Sequence, residues 1–136
     1  MLASHSFKIK KLILFLYLQL LSAVILASTP VEYGGHDDLD ACMSSGHVAN
    51  LSSGPDGFLA VKESPNIKAA RIDKLFNNQR VWICSESKNK QWLGVVYTKN
   101  TNQDCGVSQS IKTKKPYKGP CQSGWVSSKW INIDAG

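Results

Sequence analysis

From Ser28 onward the residues whose types could do chemistry are few: His36, His47, four cysteines, four tryptophans and some scattered carboxylates. His36-Asp37-Asp38 has the composition of a metal or general-base site, but it lies in a polar stretch with Gly34-Gly35 and is expected to be solvated. His47, beside Gly46, is expected at a strand edge. No serine stands in a G-x-S-x-G elbow. Glycoside hydrolysis needs two carboxyl groups at a fixed separation across a cleft. Glu63, Asp73 and Glu86 fall in turns or on an outer strand face, with nothing to pair them. No catalytic residue, metal site or cofactor is therefore expected.

Cys42, Cys84, Cys105 and Cys121 lack any C-x-x-C spacing, which argues against a zinc ribbon or a thioredoxin-type pair. An even count in an exported domain reads as disulfides. The expected pairs are Cys42–Cys84 and Cys105–Cys121, although four cysteines allow three connectivities and sequence alone does not choose. Closing the shorter loop is worth about 3 kcal/mol and the longer about 4 kcal/mol in the chain-entropy account.

Export is inferred from the first residues. Lys8, Lys10 and Lys11 precede the apolar run Leu12 to Leu26, and small residues follow at Ala27 and Ser28. This is the pattern of a secretory signal covering residues 1–27. The alternative is an uncleaved anchor, for which the run is short and is interrupted by Tyr17, Gln19 and Ser22. The expected location is periplasmic or extracellular. Taking 27 residues from 136 leaves 109, and the net charge of +6 falls to +3 with the three lysines gone. One domain fits that length. So small a positive charge, with no RNA-binding motif, excludes nucleic acid as a partner. No stable membrane insertion is expected after cleavage, and the oligomeric state is open.

Nine of the twelve aromatic residues, including every tryptophan, lie beyond residue 27. Alternation along a strand puts Trp82 opposite Val81 and Ile83, and Trp92 opposite Leu93 and Val95. With the aliphatic set inward, both rings face out as a binding platform, or else the leader or insertion folds over them as a second small core. Trp125 is expected in the core or as an end plug. Lys112, Lys114, Lys115 and Lys118, with Tyr117 among them, could meet an anionic partner or simply be solvated. Asn50-Leu51-Ser52 fits a glycosylation sequon, a pattern short enough to arise often by chance, and is expected to be silent.

The elements that must position these residues are short. Residues 28–45 read as an acidic, loosely ordered leader. Apolar or alternating segments follow at 46–51, 58–61, 70–76, 80–84, 91–97, 124–126 and 131–133, separated by Gly, Pro, Asn and Ser turns. Residues 98–122 carry almost no apolar pattern and are expected to be pinned by Cys105–Cys121. No amphipathic helix of useful length is expected past residue 27, so the class is all-β.

The order GFLAVKESP, IDKLFNNQRVWI, QWLGVVY, SGWVSSKWI (Gly57 to Ile131) resembles the bacterial SH3-like domain family, on Leu59, Val61, Lys62, Pro65, Leu75, Val81, Trp92, Gly124, Trp125 and Val126. The resemblance covers 46–133, and the domain is taken to run over 46–136 with 98–122 as an insertion. Lys62-Glu63-Ser64 departs from the family's arginine-serine-glycine, and Asn78 stands at a turn that is usually glycine. The resemblance implies a small, five-stranded, partly open barrel that binds cell-wall glycan or peptide, or an envelope protein, without catalysis. Expected contact residues are Trp82, Trp92, Tyr97 and Tyr117, with Lys112, Lys114, Lys115 and Lys118 supplying charge. Two other classes are an inhibitor or accessory subunit of an envelope complex, and a small hydrolase. Intact mass spectrometry of the secreted product checks the export reading: the expected N-terminus is Ser28, with no alkylation unless a reductant is present.

Overall fold

A computed structural model describes residues 8–15 and 27–135. Most of the expected signal segment, including residues 16–26, lies outside the described residues; 8–15 form a helical stretch. No helix among the described residues is long and apolar enough to cross a membrane.

The remainder is all-β. The strands are β1 (Glu32–Tyr33), β2 (Ser44–Val48), β3 (Leu59–Lys62), β4 (Arg71–Leu75), β5 (Arg80–Glu86), β6 (Trp92–Tyr97), β7 (Lys115–Pro116), β8 (Gln122–Ser127) and β9 (Ile131–Ala135). A single 3₁₀ turn, Ser128–Trp130, occupies the SSKW segment. Seven strands form one antiparallel sheet in the order β4-β3-β8-β6-β5-β2-β9, and β1 pairs with β7 separately. All seven apolar or alternating segments become strands of that sheet, so the count is seven and not five, and no closed barrel forms. The first and last strands of the order do not pair.

One core cluster takes side chains from every strand of the large sheet. It joins Leu75 of β4, Leu59 and Val61 of β3, Val126 of β8, Leu93, Val95 and Tyr97 of β6, Val81 and Ile83 of β5, Val48 of β2 and Ile131 of β9. Strands lie nearly 5 Å apart, so a flat seven-stranded sheet would hold its two ends well beyond contact. A shared cluster therefore requires the sheet to curl around it. Asn78 assists the β4–β5 turn by adopting φ 69°, the left-handed geometry expected of the turn residue there. Its N–H donates to the Val48 carbonyl at 2.8 Å, which draws the end of β2 to that turn.

The outer face of the sheet is buried as well. On β6, Trp92, Gly94 and Val96 face away from the main core, yet Val96 is completely buried. It belongs to a second cluster with Cys42, Cys105, Val107 and Tyr117, against which Tyr33, Trp82, Cys84 and Cys121 pack. The leader, expected to be loose, is instead ordered on this face. Val31, Ala41 and Cys42 are buried, and Trp125 donates its indole N–H to the Thr29 carbonyl at 2.8 Å. Trp125 is thus buried as expected, beneath the leader. Small apolar side chains anchor the leader although its composition is acidic, and its acids stay exposed at Asp37, Asp38 and Asp40.

Local irregularity makes room for this layer. The β5–β6 register shifts between Ile83 and Ser85, so β5 carries one extra residue, Cys84. Ser85 then sits opposite Gly94 and donates its hydroxyl to the Glu32 carbonyl at 2.6 Å. A Cβ on Gly94 would stand 2.9 Å from Ser85 Cβ and 3.1 Å from Val31, so only glycine fits under the leader. Two disulfides close the layer: Cys42–Cys84 ties the leader to β5, and Cys105–Cys121 pins the base of the insertion.

Tyr117 is the polar centre of that layer. Its hydroxyl donates to the Cys105 carbonyl at 2.7 Å and accepts from the Cys121 N–H at 3.2 Å. A Tyr117→Phe substitution strands both backbone groups. It should cost about 1–3 kcal/mol in urea unfolding, with both disulfides intact by mass.

Candidate functional site

Two grooves each contain one of the outward tryptophans. The first, of about 570 Å³, is built where three connections converge. The β3–β4 turn supplies Pro65, Asn66 and Ile67; the β5–β6 turn supplies Asn89 and Gln91; Trp92 and the Ser127–Lys129 turn complete it. Each turn is braced internally. Lys62 donates from Nζ to the carbonyls of Ile67 at 3.2 Å and Ala69 at 3.1 Å, which fixes the first turn from below. Asn89 accepts from Ser87 Oγ at 2.7 Å and from the Gln91 N–H at 3.1 Å. Ser128 ties the last two turns together through its N–H to the Gln91 carbonyl at 3.0 Å and its hydroxyl to the Lys90 carbonyl at 2.9 Å. Ile67 is 77% exposed, an apolar side chain held out beside a half-buried indole. Such a groove can grip a sugar or peptide by ring and aliphatic contact, and can read it by amide and hydroxyl bonds.

The second groove, of about 640 Å³, contains Trp82 and lies between the β4–β5 turn and the start of the insertion. Arg80 sits over the Trp82 ring, with the guanidinium 5.1 Å from its centroid. Lys99 reaches across to Asp73 at 3.1 Å.

Asp73 is the hub beside this groove. It accepts from Tyr97 Oη at 2.8 Å, from Lys99 and from the Lys74 N–H at 2.8 Å. Burial alone would raise its carboxyl, but those hydrogen bonds and the Lys99 charge hold it below its ordinary value. Tyr97 is driven far upward, first by burial and then by its bond to the carboxylate. Burial also raises Tyr117, against the opposing pull of the Cys121 N–H.

The structure thus separates the expected contact residues. Trp82 and Trp92 face outward and line different grooves. Tyr97 and Tyr117, expected as contact surface, are buried at 1% and 8% exposure and belong to the two cores. The reason is parity for Tyr97, which shares its face with Leu93 and Val95, and the disulfide-closed insertion for Tyr117. Lys112, Lys114, Lys115 and Lys118 are exposed on the insertion, and none lines either tryptophan groove. His47 is not at an edge, because β2 runs between β5 and β9, and its Nδ1 lies 2.6 Å from Asp134 Oδ1. His36 is exposed and bridges to Ile111. Sequence reading missed Ile67, Asn89 and Gln91 in one groove and Phe76, Arg80 and Lys99 in the other. An apolar residue inside a Pro-Asn turn and a Phe just before Asn-Asn were the available signals.

No family model, curated protein or solved structure matches the chain.

The hub fixes a pH dependence. The depressed Asp73 carboxyl contributes stability that is present above about pH 4, the ordinary aspartate value, and lost as pH falls through the lower folded value. The raised tyrosines contribute stability that is present below about pH 10 and lost as pH rises past it. Urea midpoints across this range should fall at both ends, with Asp73→Asn flattening the acid limb and Tyr97→Phe the alkaline limb.

Proposed function

We propose that the chain is an exported, non-catalytic SH3-like module that binds the bacterial cell wall through the Trp92 groove. The observation carrying this reading is that groove: three internally braced turns hold Trp92 and Ile67 beside Asn66, Asn89, Gln91 and Ser128. Its mixed amide and apolar lining suits the sugars and stem peptides of peptidoglycan. The SH3-like reading rests on the order of sequence elements from Gly57 to Ile131, and the all-β fold is compatible with it.

Export is supported by the two disulfides, which belong to an oxidising compartment. The basic and apolar pattern of residues 1–27 supports a signal peptide, which places the domain in the periplasm or outside the cell.

Cosedimentation with purified peptidoglycan tests the reading. The protein should pellet with the wall, and Trp92→Ala, which truncates a half-buried ring, should lower the bound fraction roughly tenfold. A wild-type protein that stays in the supernatant at low salt overturns it.

A further inference from the structure

We propose that the Trp82 groove is a second ligand site, separate from the Trp92 groove, and that it takes a carboxylated saccharide. The construction of its walls argues for a dedicated site. One wall is the β4–β5 turn, fixed by Asn78 at φ 69° and by the Gln79 N–H donating to the Phe76 carbonyl at 3.1 Å. The other is Thr98 to Gln103, the first part of the insertion. That segment is stiffened by the Asn100 N–H to Thr98 Oγ1 at 3.1 Å, the Asn102 N–H to Asn100 Oδ1 at 3.1 Å and the Gln103 N–H to the Asn100 carbonyl at 3.0 Å. Cys105–Cys121 pins it two residues further on. The site exists only because the insertion is present.

The chemistry of the lining selects the ligand. The half-exposed Phe76 offers a ring face for the C–H face of a pyranose, while the Trp82 ring, with the Arg80 guanidinium over it, lines the groove beside it. Asn78, Gln79, Thr98, Thr101 and Gln103 are amides and hydroxyls that both donate and accept, as sugar hydroxyls require. The two charged lining residues, Arg80 and Lys99, are both cations, and no carboxylate lines the groove. Arg80 is exposed, and among the described residues nothing hydrogen-bonds its guanidinium, so its fork of donors is available above the Trp82 ring. Lys99 spends one bond on Asp73 and is 63% exposed. Arg80 and Trp82 also line a neighbouring depression that contains the Asp40 carboxylate, and no hydrogen bond or ion pair joins Asp40 to Arg80 among the described residues. A volume of about 640 Å³ is in the range of small-ligand sites. A neutral sugar would use the rings and amides but leave the Arg80 fork unpaired; a carboxylate satisfies it.

Titration followed by calorimetry and by the Trp82 indole N–H resonance tests the assignment. The probes are hyaluronan tetrasaccharide and N-acetylmuramic acid, which carry carboxylates on different sugars, and chitotetraose, which is neutral. At least one carboxylated probe should bind and shift the Trp82 resonance, at least roughly tenfold tighter than chitotetraose, as expected when a charged hydrogen bond is added. The probe that binds identifies the source, a uronic acid or a muramic acid. Arg80→Gln should remove that preference, and Thr101→Trp, a plug on an exposed turn, should abolish binding, both with an unchanged melting temperature. No binding of either acidic probe, equal binding of the neutral one, or a shift at the Trp92 indole in place of Trp82 overturns the proposal. Trp92→Ala, which alters only the other groove, should leave unchanged the affinity for the acidic probe that binds, so the two sites fail or stand independently.

Discussion

The bond between Cys42 and Cys84 attaches the leader to the outer face of β5, and the second layer of the protein depends on that attachment. A sheet of small, curled strands can bury one face by itself. Burying the other requires chain from elsewhere, and here it comes from two segments with little apolar content. Neither the leader nor the insertion has enough hydrophobic surface to hold its place unaided against the entropy of ordering it. Covalent closure removes much of that entropic cost in advance. Val96, Gly94 and Trp125 can then sit on the outer face without meeting water.

The two-layer arrangement also explains where exposed aromatic surface survives. The leader covers Trp125 and the insertion packs beside Trp82, while Trp92 lies at the end of β6 that neither segment covers completely. The grooves are thus the margins of the covering layer. One borders the three converging turns and the other borders the insertion. The polar residues in both are largely turn residues, which hold their side chains by short-range bonds and leave the sheet to fix the rings.

Much of this was legible in the residues. Alternation in RVWIC placed Val81 and Ile83 inward and Trp82 outward, and the structure agrees. The strand segments, the SSKW turn and the use of all four cysteines in disulfides were readable from spacing and composition, whereas the choice among the three pairings came from the structure. Tyr97 was readable too, since its parity matches Leu93 and Val95, but an aromatic at a strand end invites a surface assignment. Tyr117 was not, because its burial depends on the carbonyl of Cys105, twelve residues away, and on a cross-link that folds the loop back. The order of the leader was hidden for a related reason. Val31, Ala41 and Cys42 form no periodic pattern, and the surface they seal is made by strands β5, β6 and β8, far along the chain.

An open sheet has two free margins, and here they belong to β4 and β9. Unpaired strand margins template stacking of one molecule on another. The β4 sequence RIDKL sets Arg71, Asp73 and Lys74 along its margin, and β9 carries Asp134 close to the end of the chain. Two copies approaching margin to margin would have to desolvate these charges before gaining any backbone bond. The same incompleteness that leaves the sheet unclosed thus comes with charged side chains on both margins, which raise the cost of margin-to-margin pairing.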